Sequence, residues 1–140
     1  MTRSRMTLSV DEANKIFTLR YIGSIDGDEV NESVLHQLAQ MTAPWDYDTI
    51  VDQRRHEGTI LTAEIEELGQ RWGQFAQGRD AGRLIAIVTE DPLVHARLSL
   101  SQAAFPQRIL KGFARMEEGV DWIMSQRAAA KSDDSGVPVA

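Results

Sequence analysis

The residues best suited to binding chemistry form one charged run, RRHE, at positions 54–57 of the 140-residue chain. The run follows YDTIVDQ, a short segment whose apolar centre predicts a central strand. Ligands of open α/β sheets bind beyond the carboxyl ends of the strands, so the run is a candidate small-molecule site. Arg54 and Arg55 suit a carboxylate or phosphate, and His56 adds the side-chain type that proteins use for proton exchange at physiological pH. The alternative is a solvated polar loop, because loops usually lie on the surface.

Two threonines follow that run. An apolar stripe at helical spacing predicts a helix that follows Thr62, and Thr59 lies one turn earlier. The free N–H groups and the dipole at a helix N-terminus favour phosphate, so Thr62 is a candidate phospho-acceptor. We group Thr59 with Arg54, Arg55 and His56 as candidate ligand- or partner-binding residues. The alternative for Thr62 is an ordinary N-cap, and the acidic residues that follow it would repel an added phosphate.

A third cluster combines Thr89, Glu90, Asp91 and His95 at the end of the apolar run RLIAIV. An acid and a histidine four residues apart share one side of a helix start, an arrangement used in hydrolysis or metal binding. No G-x-S-x-G or H-E-x-x-H motif accompanies them, and Asp91 followed by proline is a strong helix N-cap. We therefore expect a helix cap here, and no catalytic residues, metal or cofactor.

The composition excludes several classes of function. A formal net charge of −6 argues against a nucleic-acid-binding protein, which normally carries a basic face. The absence of cysteine excludes disulfides and thiolate chemistry. No apolar run approaches the roughly 18 residues needed to span a bilayer, and MTRSRMTLSV lacks the apolar segment of a signal peptide. We expect a cytoplasmic protein of bacterial type.

The order of the segments predicts the fold class. Two strand-like runs form a hairpin, and helices then alternate with strands to give β-β-α-β-α-β-α-β-α. Such alternation predicts one α/β domain with a mixed sheet of four to five strands and helices mainly on one face. We place this domain at residues 6–126, after a flexible N-terminus at 1–5. The small and polar residues of 127–140 predict a disordered tail.

The last third of the chain carries a resemblance to a known family. The segments RLIAIVTEDPLVHAR and ILKGFARMEEGVDWI resemble the STAS-type domains of the SpoIIAA-like family. The matching positions are mostly apolar: Ala86, Val88, Phe113, Gly119, Trp122 and Ile123. The resemblance covers most of the chain in element order and about the last 45 residues in motif, and it implies a STAS-like fold.

This resemblance also implies a class of function. STAS domains are switch modules that bind a protein partner, and some are phosphorylated on a serine within an Asp-Ser-Ser-Gly motif. The equivalent region here reads VDQRRHEGTILTAEIEEL and lacks that motif, so that Thr62 is nearest the acceptor position. We expect a noncatalytic regulatory or protein-interaction module that meets a protein partner or a second copy of itself. The alternative is a carrier that holds a small apolar or anionic molecule, or a lipid, between helices and sheet.

Overall fold

The computed structural model describes residues 4–135, which form five strands and five α-helices. The strands are β1 (Arg5–Asp11), β2 (Ile16–Gly23), β3 (Asp48–His56), β4 (Leu84–Val88) and β5 (Ile109–Phe113). The helices are α1 (Gly27–Leu38), α2 (Thr62–Ala76), α3 (Pro92–Ala96), α4 (Leu98–Ala104) and α5 (Met116–Ser135), with a short 3-10 helix at Pro44–Asp46. None of the helices within this span is long and apolar enough to cross a membrane.

The five strands form one mixed sheet in chain order, β1-β2-β3-β4-β5. β1 and β2 pair antiparallel as the predicted hairpin, and the remaining neighbours pair in parallel. The hairpin turn closes where Asp11 accepts hydrogen bonds from the backbone and side-chain nitrogens of Asn14. The parallel pairs require crossovers, which α1, α2 and the α3–α4 pair provide.

Apolar clusters cover both faces of the sheet. Alternate residues of β4 face opposite ways, so that Ile85 and Ile87 pack toward α1 and α2. Ala86 and Val88 pack with Ile123 of α5 on the other face. Three crossover segments therefore share one face and the last helix covers the second. The prediction of a single α/β domain with a mixed sheet and helices mainly on one face is confirmed.

The charged run predicted as a loop is strand instead. β3 continues through His56, which pairs with Gly23 of β2. A β-bulge interrupts this pairing, so that positions 53 and 54 of β3 both lie opposite Tyr21 of β2. The loop prediction failed because pairing with β2 imposes extended backbone on polar residues that have no apolar alternation of their own.

The chain boundaries also differ from those expected from composition. The predicted tail at 127–140 is helical up to Ser135, and Arg127 hydrogen-bonds to Asp48 of β3. Residues 136–140 of that tail lie outside the described residues. At the other end, β1 begins at Arg5 and the Ser4 hydroxyl accepts a hydrogen bond from the Ser24 backbone, while residues 1–3 of the predicted flexible segment lie outside the described range. The division at 6 and 126 therefore omits helical residues that contact the sheet.

Candidate functional site

A cavity of about 120 Å³ lies between the sheet and the helices of the crossover face. Its walls are mainly apolar, because the side chains that point from the strands and helices toward this face are aliphatic or aromatic. Representative lining residues are Phe17, Leu19, Val34, Val51, Leu68 and Ile87. Protein interiors are packed to crystal-like density, so a void of this size in the apolar core is unusual.

The cavity opens at the carboxyl ends of the parallel strands. Its exposed lining residues are Gly58, Thr59, Asp91 and Leu93, which follow β3 and β4. The other lining residues are buried or half-buried. The opening therefore occupies the edge of the sheet where ligands of open α/β folds bind.

Arg108, which precedes β5, lies at the opposite end of the same cavity and is only 5% exposed. Its Nη2 donates to the Thr49 hydroxyl at 2.7 Å and to the Leu84 carbonyl at 3.0 Å. A longer contact of 3.4 Å reaches the carbonyl of Tyr47. Thr49 and Leu84 stand at the amino ends of their strands, so Arg108 marks the inner end of the cavity.

Part of this guanidinium has no partner. Nε of Arg108 is buried without a hydrogen bond, and across residues 4–135 no group accepts one from Nη1. The guanidinium also forms no ion pair within the described chain, and it lies 5.6 Å from the centre of the Trp72 ring. Burial lowers the pKa of Arg108 to about 10, against the opposing effect of the Asp80 and Asp48 carboxylates, so the group stays charged at neutral pH.

Gln102 of α4 fixes the backbone that carries Arg108. Its Nε2 donates to the carbonyl of Arg108 at 2.7 Å and to that of Phe105 at 3.2 Å. Its Oε1 accepts from the backbone of Leu110 at 3.0 Å. Three hydrogen bonds from one side chain hold the α4–β5 connection in place, and they set the position from which Arg108 enters the cavity.

His56 and Tyr21 form a second polar pair in the lining. Nε2 of His56 lies 3.0 Å from the carbonyl oxygen of Ile25, which can only accept, so this nitrogen carries the proton. The two rings meet edge to face with centroids 5.8 Å apart. Burial raises the pKa of Tyr21, which keeps its hydroxyl protonated at neutral pH. Both residues belong to the part of the cavity near the strand ends.

The structure separates the residues of the predicted charged site. His56 and Thr59 line the cavity, whereas Arg54 and Arg55 lie outside its lining. Arg54 points to the other face, where Nε and Nη2 each donate to Asp52 at 2.9 Å. Arg55 is exposed. Strict alternation would place Arg54 and His56, two residues apart, on the same face, so the bulge at positions 53 and 54 accounts for their separation.

Asp52 accounts for the position of Arg54. The side chain of Asp52 is almost fully buried and also accepts a hydrogen bond from Arg20 at 2.9 Å. Burial raises its pKa, but hydrogen bonds from Arg54 and Arg20 outweigh this and lower the pKa to about 2. Arg54 thus balances a buried carboxylate, which is a structural role.

The cluster at the end of β4 forms the predicted helix cap. Asp91 accepts a hydrogen bond from the Leu93 backbone at 2.9 Å, and Pro92 begins α3. His95 donates from Nε2 to the carbonyl of Thr89 at 2.8 Å. Asp91 and His95 therefore bind backbone groups and not each other. In the described part of the chain no three acidic or histidine side chains are placed to hold a metal ion.

Comparison with known proteins identifies the fold. No protein-family model matches the sequence, and no curated protein is significantly similar to it. A solved structure from Shewanella loihica PV-4 superposes with a TM-score of 0.58 over 88% of this chain and 95% of that one. That protein is described as an uncharacterized member of the DUF3478 family with a SpoIIAA-like fold. This chain has a SpoIIAA-like fold. The sequence identity of 13% limits the likeness to architecture.

Helix α2 begins at Thr62 itself. Thr62 is therefore not the N-cap, and the N-cap prediction is wrong by one position. The N-cap is Leu61, whose backbone N–H donates to the Glu64 carboxylate at 2.7 Å. The Thr62 hydroxyl is half-buried and accepts a hydrogen bond from Nη2 of Arg97 at 2.9 Å. Thr62 as a phospho-acceptor stays a prediction.

Sequence reasoning missed Arg108, the one buried cation of the cavity lining in residues 4–135. Arg108 begins the segment RILKGF, whose apolar residues correctly predict β5. The sequence around it gives no sign of burial, because the groups that bind its guanidinium lie 24 and 59 residues away. A charged residue directly before a short apolar strand was the only available signal.

Proposed function

We propose that this protein is a noncatalytic carrier or sensor that holds a small, largely apolar molecule between the sheet and its crossover helices. The proposal rests on the cavity of about 120 Å³ in the apolar core. Filling apolar core volume is worth about 24 cal/mol per Å³, so a ligand occupying this whole volume would gain at most roughly 3 kcal/mol. A ligand that fills the space restores the missing contacts, and the opening beside Thr59 and Leu93 offers it a route.

A STAS-like regulatory or protein-interaction module is the weaker proposal. Its chemical signal would be a phosphate on Thr62, but that hydroxyl is half-buried and already accepts a hydrogen bond from Arg97. Phosphorylation would have to displace this contact.

The volume of the cavity indicates the size of ligand. An apolar protein cavity of roughly 150 Å³ holds a benzene-sized molecule, so this one suits a compact group of similar size. Hexan-1-ol is therefore a suitable neutral probe. At ten times its dissociation constant, a ligand that binds only the folded state raises the free energy of unfolding by about 1.4 kcal/mol.

The test is calorimetric titration of the full chain with hexan-1-ol, together with native mass spectrometry of protein purified from its own host. We expect saturable binding of the alcohol and a ligand of small mass that is lost on unfolding. Val34→Phe fills the cavity from α1 and should abolish alcohol binding, whereas Val10→Phe at an exposed position of β1 should leave it intact. Failure of the wild-type protein to bind any compact apolar probe contradicts the carrier proposal.

A further inference from the structure

We propose that the natural ligand is an amphipathic monoanion, a compact apolar body with one carboxylate, and that Arg108 binds this carboxylate at the inner end of the cavity. This inference rests on the proposed carrier function. It specifies the charge of the ligand and its orientation in the cavity. The carboxylate lies at Arg108, and the apolar body points toward the opening beside Thr59.

The first argument is that Arg108 has more hydrogen-bond donors than the fold uses. A guanidinium has five N–H groups, and all the hydrogen bonds made by Arg108 come from Nη2. Nε is buried with no acceptor. A buried donor without an acceptor costs about 1–3 kcal/mol, so an anion brought against this guanidinium would be stabilising. Carboxylate and phosphate both bind guanidinium groups well, and the small, mainly apolar cavity favours the smaller and singly charged carboxylate.

The second argument concerns the charges around Arg108. Two buried carboxylates, Asp48 and Asp80, act on it from a distance, and Arg83 opposes them. Asp48 is already paired with Arg127 at 2.7 Å. Asp80 accepts a hydrogen bond from Nε1 of Trp72 at 2.6 Å.

Both carboxylates that act on Arg108 are thus engaged by other groups, and neither forms an ion pair with its guanidinium within residues 4–135. A buried charge without a partner in contact is strongly unfavourable. A bound monoanion would supply that partner, whereas a cationic ligand would place a second positive charge beside Arg108.

The third argument concerns reach. Thr49, which contacts Arg108, and His56, near the opening, are seven residues apart on β3, a span of roughly 20 Å at about 3.3 Å per residue. The walls between them are mainly apolar, with Asn31 and Gln53 among the polar lining residues. A ligand held at Arg108 is thus removed from solvent, where a charge-assisted hydrogen bond is stronger than at the surface.

The test compares three ligands of equal length on the wild-type full chain: hexanoate, hexan-1-ol and hexylamine. We expect hexanoate to bind at least tenfold more tightly than hexan-1-ol, and hexylamine to bind more weakly than both. The ¹⁵N-detected Nε–H resonance of Arg108 should shift on addition of hexanoate and not of hexan-1-ol. These measurements need no variant, so they stand whether or not Arg108 can be replaced.

Variants then assign the preference to one residue. Arg108→Met should reduce hexanoate affinity to that of hexan-1-ol, and Arg108→Lys should retain part of the preference because it keeps the charge. Arg115→Met, at a well-exposed arginine, is the control and should change neither affinity.

The outcomes separate this inference from the proposed function. Binding of hexan-1-ol without any preference for hexanoate overturns the role of Arg108 and leaves the carrier proposal standing. A preference that survives in Arg108→Met overturns it as well. Failure of all three ligands to bind contradicts the carrier proposal, and the present inference with it.

Discussion

Nε of Arg127 donates a hydrogen bond to Oδ2 of Asp48 at 2.7 Å, joining the last helix to the first residue of β3. The same guanidinium donates to the carbonyl oxygens of Asn14 and Lys15 in the hairpin turn. Oδ1 of Asp48 accepts from the backbone of Leu84 at the start of β4. One ion pair therefore connects the C-terminal helix, the hairpin and the centre of the sheet.

Replacement of Arg127 by methionine should destabilise the protein. Asp48 is nearly fully buried, so the substitution leaves a buried carboxylate without its cation, but Arg127 itself is partly exposed to water. We therefore expect a loss of about 2 kcal/mol, below the 3–5 kcal/mol typical of a fully buried pair. Lys131→Met, at an exposed position of the same helix, is the control. Equal urea midpoints for the two variants would contradict this role of Arg127.

The stability contributed by Asp52 should depend on pH in the acid range. Its folded-state pKa of about 2 lies below the ordinary value of 3.8, so its contribution is complete above that ordinary value and is lost as the pH falls toward 2. Asp52→Asn should cost about 2 kcal/mol at pH 7, because hydrogen bonds to Arg54 and Arg20 lose their charged acceptor.

Urea unfolding of wild type and Asp52→Asn at several pH values between 7 and 2.5 measures this dependence. The difference between the two proteins should shrink below about pH 4, the region in which the unfolded-state carboxyl takes up its proton. Asp121→Asn, at an exposed position of α5, provides the control. A difference that stays constant down to pH 2.5 would show that Asp52 acts through packing and not through charge.

Gly69 allows α2 to approach α4 closely, and alanine should not be tolerated there. A Cβ atom on Gly69 would overlap the carbonyl group of Ala104. Gly73 lies one turn later on the same helix and has no neighbouring atom within 4 Å of the corresponding position. The two glycines therefore form a matched pair for the same substitution.

Gly69→Ala should lower the free energy of unfolding by about 2 kcal/mol or more through overpacking, despite the better helix propensity of alanine. Gly73→Ala should raise it by about 0.5–1 kcal/mol, the propensity gain alone. Thermal unfolding followed by circular dichroism gives both values. A stabilised Gly69→Ala would mean that α4 moves away freely, which would also widen the cavity.

The elements predicted correctly from the sequence are those whose signals are local. The continuous apolar run in RLIAIV specifies β4, and the Asp91-Pro92 pair specifies the start of α3. The C-terminal ends of β3 and α5 were both predicted too early, and in each case contacts with residues distant in the sequence extend the element. β3 continues through polar residues because β2 offers it backbone partners as far as Gly23. Composition alone does not contain that information.

The error at the C-terminus came from interpreting small residues as disorder. Alanines 128–130 are strong helix formers. Arg127 also fixes the preceding turn, because it contacts Asp48, which lies 79 positions earlier in the chain. The candidate site shows the same division. His56 and Thr59 were predicted because they follow a strand end, and both line the cavity. Arg108 reaches the cavity only through contacts with residues distant in the sequence, so no local pattern indicated it.

Gln102 should control the carboxylate preference without touching the ligand. It lies outside the cavity lining, and its side chain holds the carbonyl of Arg108 at 2.7 Å and the backbone of Leu110 at 3.0 Å. Gln102→Leu removes these hydrogen bonds and should cost about 1–3 kcal/mol of stability. It should also release the α4–β5 connection, so that the Arg108 guanidinium loses its fixed position.

The decisive readout for Gln102 is the ratio of hexanoate to hexan-1-ol affinity. A merely destabilised protein would lose affinity for both ligands alike, whereas misplacement of Arg108 lowers hexanoate binding alone. We expect the ratio to fall severalfold in Gln102→Leu and to be unchanged in Gly69→Ala, whose defect also involves α4 but leaves the hydrogen bonds of Gln102 in place. An unchanged ratio in Gln102→Leu would show that the contacts of Nη2 with Thr49 and Leu84 position the guanidinium by themselves.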